Sequence, residues 1–243
     1  MSLGAFNLHI LGQRLATLRD EGHPSKEIVS LGYPDILARP EAIDRVFGAG
    51  FFAKLEQRPD SASILAWHGI KQPYPMAEAT SLFAALGFQL RVIDLHAVRG
   101  GEIVLDLNEP VPESLHRRFS LVIDAGTLEH CFNIAQAVSN VANLVDVGGF
   151  VMHGNPLNMF NHGFYNLNPT WYDHFYGANG FAIDMAVVVA TSKDPPEILE
   201  APLNSRFHLT DRNLVQVVVA RRREARPIIW PVQKKYVGST QTG

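Results

Sequence analysis

Residues 119–149 read FSLVIDAGTLEHCFNIAQAVSNVANLVDVGG. An apolar run from Phe119 to Ile123 stops at Asp124, Gly126 and Thr127 follow, and then a carboxylate and an imidazole stand side by side as Glu129 and His130. A buried strand that ends in polar residues and feeds a helix sets those residues in the crevice above an open α/β sheet, where such sheets bind ligands. His130 has two readings there: a general base titrating near neutrality, or an orienting residue that never transfers a proton. Glu129 is expected in or just before the first turn of an amphipathic helix, where a carboxylate favours the helix dipole, and that helix is expected to end at the Gly148-Gly149 pair. A second chemistry-rich stretch follows, HGNPLNMFNHGFYNLNPTWYDHFYGANGF. Its aromatic faces could hold a cation or shape a small pocket. Trp171 and Phe175, at helical spacing, read as core. Tyr165, Tyr172 and Tyr176 are the better functional candidates, because a buried hydroxyl needs a partner. His130, His153 and His162 lack a tight metal-ligand spacing such as H-x-x-x-H. With Asp124 and Glu129 they could still make an oxygen-rich site, but no metal is expected. Cys131 reads as a buried structural cysteine.

The elements that must position these groups alternate. Residues 7–19 carry leucines at helical spacing (Leu8, Leu11, Leu15, Leu18) and stop at Gly22-His23-Pro24. Residues 27–31 read as a first strand, with Gly32-Tyr33-Pro34-Asp35 as the turn after it. Helical patterns are expected over 40–55, 76–86, 134–145 and 169–176, and strands over 89–95, 102–107, 119–124, 150–153, 182–191 and 214–221. Residues 64–67 fit a short strand or an irregular loop equally well. Strands alternating with helices argue a mainly parallel sheet. The last two strands, joined only by a loop over 192–213, are expected to be antiparallel, with one reversed strand at the sheet end. Three successive strands end in polar residues, Asp94, Asp106 and Asp124, as one shared pocket would require.

Composition sets bounds on partners. The 243 residues suit a single domain over 1–243, with an N-terminal helix in 1–25, a candidate insertion over 36–73, an aromatic lid over 155–180 and a frayed tail after Tyr236. With 47% hydrophobic and 19% charged residues, a full core is within reach. A net charge of -3 argues against a nucleic-acid surface. The single cysteine rules out an internal disulfide and fits a reducing cytoplasm. No apolar stretch approaches the roughly 18–20 residues of a membrane helix. An exposed aromatic lid could also serve a homodimer.

The stretch built on Phe119, Val122, Leu128, Glu129 and His130, closing on Val147, Gly148 and Gly149, resembles the strand-four region of class I S-adenosylmethionine-dependent methyltransferases, with Ser120 where Asp is usual and Asp146-Val147 where Lys-Pro is common. The HGFY and NP elements that follow (residues 162–165 and 168–169) resemble a bacterial methyltransferase-like subgroup. The resemblance implies a Rossmann-like α/β fold with seven strands, the last antiparallel, and S-adenosyl-L-methionine as cofactor. It implies Gly32 and Tyr33 at the donor's amino-acid end, although the usual G-x-G-x-G is missing. It implies Asp94 on the ribose hydroxyls, Asp106 and Leu107 at the adenine, and Asp124, Gly126 and Thr127 near the sulfonium. His130 or His162 would act on a small-molecule acceptor, with Tyr165 and Tyr176 shaping its pocket. Three functions remain open: a small-molecule methyltransferase; an enzyme that breaks the bond to the donor's aminocarboxypropyl arm, by transfer or cyclisation with loss of methylthioadenosine; and a binding protein that has kept only the fold. A dehydrogenase is disfavoured, because no G-x-G-x-x-G follows the first strand.

Overall fold

A computed structural model describes residues 1–190, 197–200 and 213–237. The chain divides into two units, Met1–Asp106 and Leu107–Gly243. In the first, β1 (Ser2–Leu3) leads into α1 (Ala5–Asp20), then β2 (Glu27–Leu31), β3 (Asp35–Ile36), α2 (Pro40–Phe47), α3 (Ser61–Trp67), α4 (Ala79–Ala85), β4 (Gln89–Asp94) and β5 (Ile103–Val104). The leucine stripe of α1 is buried at Leu8, Leu11, Leu15 and Leu18. The helix stops where Gly22 turns to φ +68° and the amides of Gly22 and His23 return to the carbonyls of Arg19 and Leu18. β2 pairs parallel with β4, and β4 with β5. β1 pairs parallel with β3 in a separate ribbon. Residues 64–67, which by sequence fit strand or loop, belong to the helix α3. The segment between β3 and α3 is anchored by the buried Arg58, whose guanidinium donates to Asp35 (2.6 Å) and Asp60 (2.7 Å).

The second unit holds β6 (Phe119–Asp124), α5 (Ile134–Leu144), β7 (Val145–Pro156), α6 (Pro169–Ala178), β8 (Phe181–Ala190), β9 (Glu197–Glu200) and β10 (Leu214–Arg222). Every residue of β6 is buried, as expected for a parallel strand covered on both faces. It runs parallel to β7, and β10 runs antiparallel to both β7 and β8. The architecture is α/β and Rossmann-like, with a mostly parallel core. Three sequence expectations are corrected. Apart from the β1–β3 ribbon the units contribute three and five strands, eight rather than seven, because β9 pairs with β8 inside the stretch read as a loop. The reversed last strand β10 does not lie at the end but between β7 and β8, and β9, antiparallel to β8, is a second reversed strand beyond it. The Gly148-Gly149 pair does not end α5; it bulges β7 from within. Gly148 takes φ +84°, and a Cβ on Gly149 would lie 2.7 Å from the Ser120 carbonyl oxygen. The rest of the 192–213 segment and the end of the tail, 238–243, lie outside the described residues.

α5 passes into β7 without a loop, so its last carbonyls need partners from elsewhere. Three arginines supply them: the buried Arg222 donates Nη1 to the carbonyls of Ala142 and Val145, each at 2.7 Å, and the amides of Arg117 and Arg118 donate to those of Asn143 and Leu144, at 2.7 and 3.1 Å. α6 begins on the Asn-Pro pair, with the Asn168 side chain accepting from the Trp171 amide and Pro169 in the first turn. Among the described residues no helix is long and apolar enough to cross a membrane.

Candidate active site

β6 delivers Asp124 to its C-terminal end, where it is fully buried. Gly126 turns the chain there with φ +95°, a conformation side chains resist. The turn aims the amides of Thr127 and Leu128 back at Asp124 Oδ1, at 2.9 and 3.2 Å. The other carboxylate oxygen meets β7. His153 is the register partner of Asp124, and its Nδ1 lies 2.7 Å from Oδ2. Asn155, two residues on and so on the same face, donates Nδ2 to the same oxygen at 3.0 Å. α6 closes the network with two tyrosines one turn apart: the Tyr176 hydroxyl lies 2.5 Å from His153 Nε2, and Tyr172 donates to Asn155 Oδ1 at 2.5 Å. The match is geometric, since four residues of helix and two of strand both advance about 6 Å. Burial, with the Asp124 charge behind it, raises both phenols well above their ordinary pKa, so they remain hydrogen-bond donors. His153 Nδ1 donates to the Asp124 carboxylate, and its Nε2 shares a hydrogen bond with the Tyr176 hydroxyl at the other end of the ring. Burial alone would raise the Asp124 carboxyl, but hydrogen bonding and charge from His153, aided by Asn155 and the Thr127 amide, outweigh it and hold Asp124 below the usual carboxylate range.

Glu129 lies ahead of α5 rather than in its first turn, the second of the two places the sequence allowed. It lies in a separate 3-10 turn, Leu128–His130, and its side chain points inward with no exposed surface; the cap of α5 is Asn133. Asn155 Nδ2 donates to Glu129 Oε2 at 2.9 Å, which joins Glu129 to the Asp124 network. Glu129 Oε1 is buried without a hydrogen-bond partner among the described residues. It faces His162 Nε2 at 3.5 Å and His130 Nε2 at 4.0 Å, and both imidazoles are about half exposed. Burial pushes the Glu129 carboxyl up to about 7, and the neighbouring Asp124 charge adds to the rise. Burial, and then the charge of His162, lower the His130 pKa, so this imidazole keeps a free lone pair at neutrality. The HGFY tetrapeptide is what brings His162 here. The amides of Phe164 and Tyr165 both donate to the Glu129 carbonyl, at 2.8 and 3.3 Å. Between them and His162, Gly163 presses so close that a Cβ would stand 2.7 Å from that carbonyl oxygen.

Of the residues singled out in the sequence, His130 and His162 come together, their ring centroids 5.3 Å apart. His153 does not join them; it is committed to Asp124 and Tyr176. Tyr176 is fully buried, whereas Tyr165 is partly exposed and donates to the Phe132 carbonyl at 2.8 Å. The aromatic segment splits: Tyr172, Phe175 and Tyr176 are core, and Phe160 and Phe164 are exposed. Gly126 and Thr127 build the Asp124 turn described above. Leu107 is buried, with its carbonyl held by Asn140 Nδ2 at 3.0 Å. In the first unit, Gly32 adopts φ +88° after β2. Tyr33 donates to Glu78 and lies under the Arg99 guanidinium, 3.7 Å from the ring centroid. Asp94 ends β4 half-buried and accepts from the His96 amide at 3.3 Å. Asp106 is exposed.

The sequence did not point to Asn155, and it placed Glu129 near the site without assigning it a catalytic role. The signal for Asn155 was present, as a histidine and an asparagine at i and i+2 in an otherwise apolar strand. Its neighbour across the sheet, Gln216 on β10, is likewise a lone polar residue in an apolar run, and its buried amide has no hydrogen-bond partner among the described residues.

No known family profile and no curated protein matches the chain. Solved structures of similar topology exist at low identity. A branched-chain polyamine synthase from Thermus thermophilus, bound to N4-aminopropylspermidine and 5'-methylthioadenosine, shares 14% identity over 90% of this chain and 57% of its own, with a TM-score of 0.42. The 1,6-didemethyltoxoflavin-N1-methyltransferase of Burkholderia thailandensis shares 12% over 89% of this chain and 79% of its own, at 0.44. The CMeT domain of the citrinin polyketide synthase shares 10% over 89% of this chain and 52% of its own, at 0.47. The chain thus spans little more than half the length of the first and third.

Proposed function

We propose that the chain is an S-adenosylmethionine-dependent transferase acting on a small molecule, and in the first instance a methyltransferase. The observation that supports this most is the convergence at the end of β6. There the Asp124 turn, the inward-facing Glu129 and the imidazoles of His130 and His162 are fixed by one connected set of hydrogen bonds. In this reading Asp124, Gly126 and Thr127 lie along the donor near its sulfonium. Asp94 accepts from the ribose hydroxyls, Asp106 and Leu107 serve the adenine, and Gly32 with Tyr33 serves the amino-acid end. The acceptor's oxygen, nitrogen or carbon attacks the methyl carbon in line. The carbon–sulfur bond breaks, its electrons pass to sulfur to give S-adenosylhomocysteine, and the acceptor's proton leaves at the Glu129–His130–His162 cluster. Catalysis of this kind is mainly positioning and electrostatics, which suits a site whose polar groups are held from several elements. Tyr176 then acts through His153 as a positioning residue, and Tyr165 shapes the acceptor side.

One observation keeps a second reading in view. The turn after β2 has a single glycine, and its tyrosine is tied to Glu78 and Arg99 rather than left open. A donor whose aminocarboxypropyl arm meets a different wall could be cleaved there instead. Incubating the purified protein with S-adenosylmethionine alone, followed by mass spectrometry of the small molecules, separates the two. The methyltransferase reading expects an intact donor. Methylthioadenosine above the enzyme-free background, abolished in Asp94→Ala, would replace it with arm-directed chemistry.

A further inference from the structure

We propose that Glu129, His130 and His162 form a site for a single divalent transition-metal ion of the zinc class. One donor atom from each residue lies within 4.8 Å of the other two. An ion held at about 2.0–2.2 Å by nitrogen and oxygen ligands in a tetrahedral arrangement sets those ligands roughly 3.3–3.6 Å apart. Glu129 Oε1 and His162 Nε2 already stand at 3.5 Å, and His130 Nε2 is 4.0 Å from the same oxygen. Closing the remainder takes only a rotation of imidazoles that are 50% and 47% exposed and free to turn.

The carboxylate is the fixed member. Its side chain has no exposed surface, Asn155 holds Oε2 at 2.9 Å, and Oε1 is buried with no hydrogen-bond partner among the described residues while aimed at both rings. A buried polar atom left without a partner is costly, and each one in a native structure calls for an explanation; an ion is the one that also accounts for the two nitrogens facing it. Asn155 gives the ligating carboxylate the outer hydrogen bond that metal sites commonly have. Backbone docking, rather than a helical repeat, sets the ligand spacing: the amides of Phe164 and Tyr165 lock the HGFY loop onto the Glu129 carbonyl, so residues 129, 130 and 162 meet without any H-x-x-x-H pattern.

Two imidazoles and one carboxylate favour zinc and its first-row neighbours over magnesium or calcium, which prefer all-oxygen shells. Three protein ligands with an exposed side leave a fourth position for an exchangeable group, the pattern of an open rather than a structural site. As a binding site this stands apart from the donor reading. Its use in catalysis rests on that reading: with an ion seated, the two histidines are ligands, and the ion increases the acidity of an acceptor oxygen or nitrogen bound in the fourth position.

The test is calorimetric titration of the full chain, free of any affinity tag and stripped with a chelator, with Zn²⁺ and separately with Mg²⁺. One equivalent of Zn²⁺ is expected, with no measurable Mg²⁺ binding. Losses of about 100-fold or more are expected in Glu129→Gln and His162→Ala, since even outer hydrogen-bond partners of ligands are worth 10–100-fold. His9→Ala, a change at an exposed histidine on α1, should leave the affinity unchanged. Because Glu129 is buried and its variant could misfold, His130→Ala and His162→Ala on the half-exposed side are the decisive variants. The visible spectrum of the Co²⁺-loaded wild type gives an independent readout of nitrogen ligation. Absence of stoichiometric Zn²⁺ binding, or equal binding by wild type and both histidine variants, overturns the proposal and leaves a plain Glu–His cluster. Neither outcome bears on whether S-adenosylmethionine binds.

Discussion

At the scale of single residues, the site is a hydrogen-bond network in which nearly every atom is used. Asn155 shows this most clearly: its two amide hydrogens go to Asp124 and Glu129, and its oxygen accepts from Tyr172. Removing a partner from a buried group costs more than making the bond gains, because the group left behind has lost water as well. Tyr172→Phe strands Asn155 Oδ1 and should lower stability by about 1–3 kcal/mol. Tyr165→Phe, whose hydroxyl is near solvent and bonds only the Phe132 carbonyl, should cost less than about 1 kcal/mol. Chemical denaturation of the two variants side by side checks the contrast, and equal losses would show that the Tyr172 bond is not part of a closed network. His130 and His162 were legible as candidate bases from residue type alone, though not as a pair, since His153 was grouped with them. Glu129 was not, because a carboxylate beside a helix start has an ordinary explanation in the helix dipole. Only the 3-10 turn, which no local pattern announces, turns it inward.

At the scale of elements, local periodicity carried most of the fold. β6 falls on the expected residues because a short apolar run closed by Asp124 has no competing reading, and the leucine stripe of α1 is helical by spacing alone. The short helix α3 was ambiguous because seven residues are too few for the two periods to separate. The Gly-Gly bulge in β7 was misplaced for a different reason: glycine marks a turn or bulge, but the sequence does not say which strand absorbs it. The direct junction of α5 and β7 rests on the amides of Arg117 and Arg118 and on the side chain of Arg222, a residue that a charge-run reading would leave in solvent. Arg222→Met keeps most of the apolar stem and leaves the Ala142 and Val145 carbonyls unpaired. It should therefore cost about 2–4 kcal/mol, read as a lowered denaturation midpoint. A loss within about 0.5 kcal/mol, as for an ordinary surface change, would mean that water caps the helix instead.

At the scale of the whole molecule, acid should weaken the fold by way of the buried Asp124. Its folded pKa is depressed below the unfolded value. The stabilisation it provides is therefore fully present above the ordinary aspartate value of ~3.9 and is lost as pH falls from there through the lowered folded value. Stability measured by urea denaturation should fall over that window in wild type. It should fall less steeply in Asp124→Asn, which begins less stable but has no charge to lose. Parallel pH profiles for the two proteins would show that Asp124 does not set the acid limit. The α/β class and the reversed pairing of β10 were legible across the chain because alternation is a long-range pattern. The eighth strand was not, because four residues of alternating exposure inside a connecting segment carry no signal of their own.

Dependence on S-adenosylmethionine is open to one decisive measurement, calorimetric titration of the purified protein with that donor, in wild type and in Asp94→Ala. Saturable one-to-one binding to the wild type is expected. The variant should lose about 10–100-fold in affinity, the worth of charge-assisted hydrogen bonds to the ribose. No binding to a folded wild-type protein would contradict the proposed function, and equal binding by the two proteins would show that Asp94 does not hold the ribose.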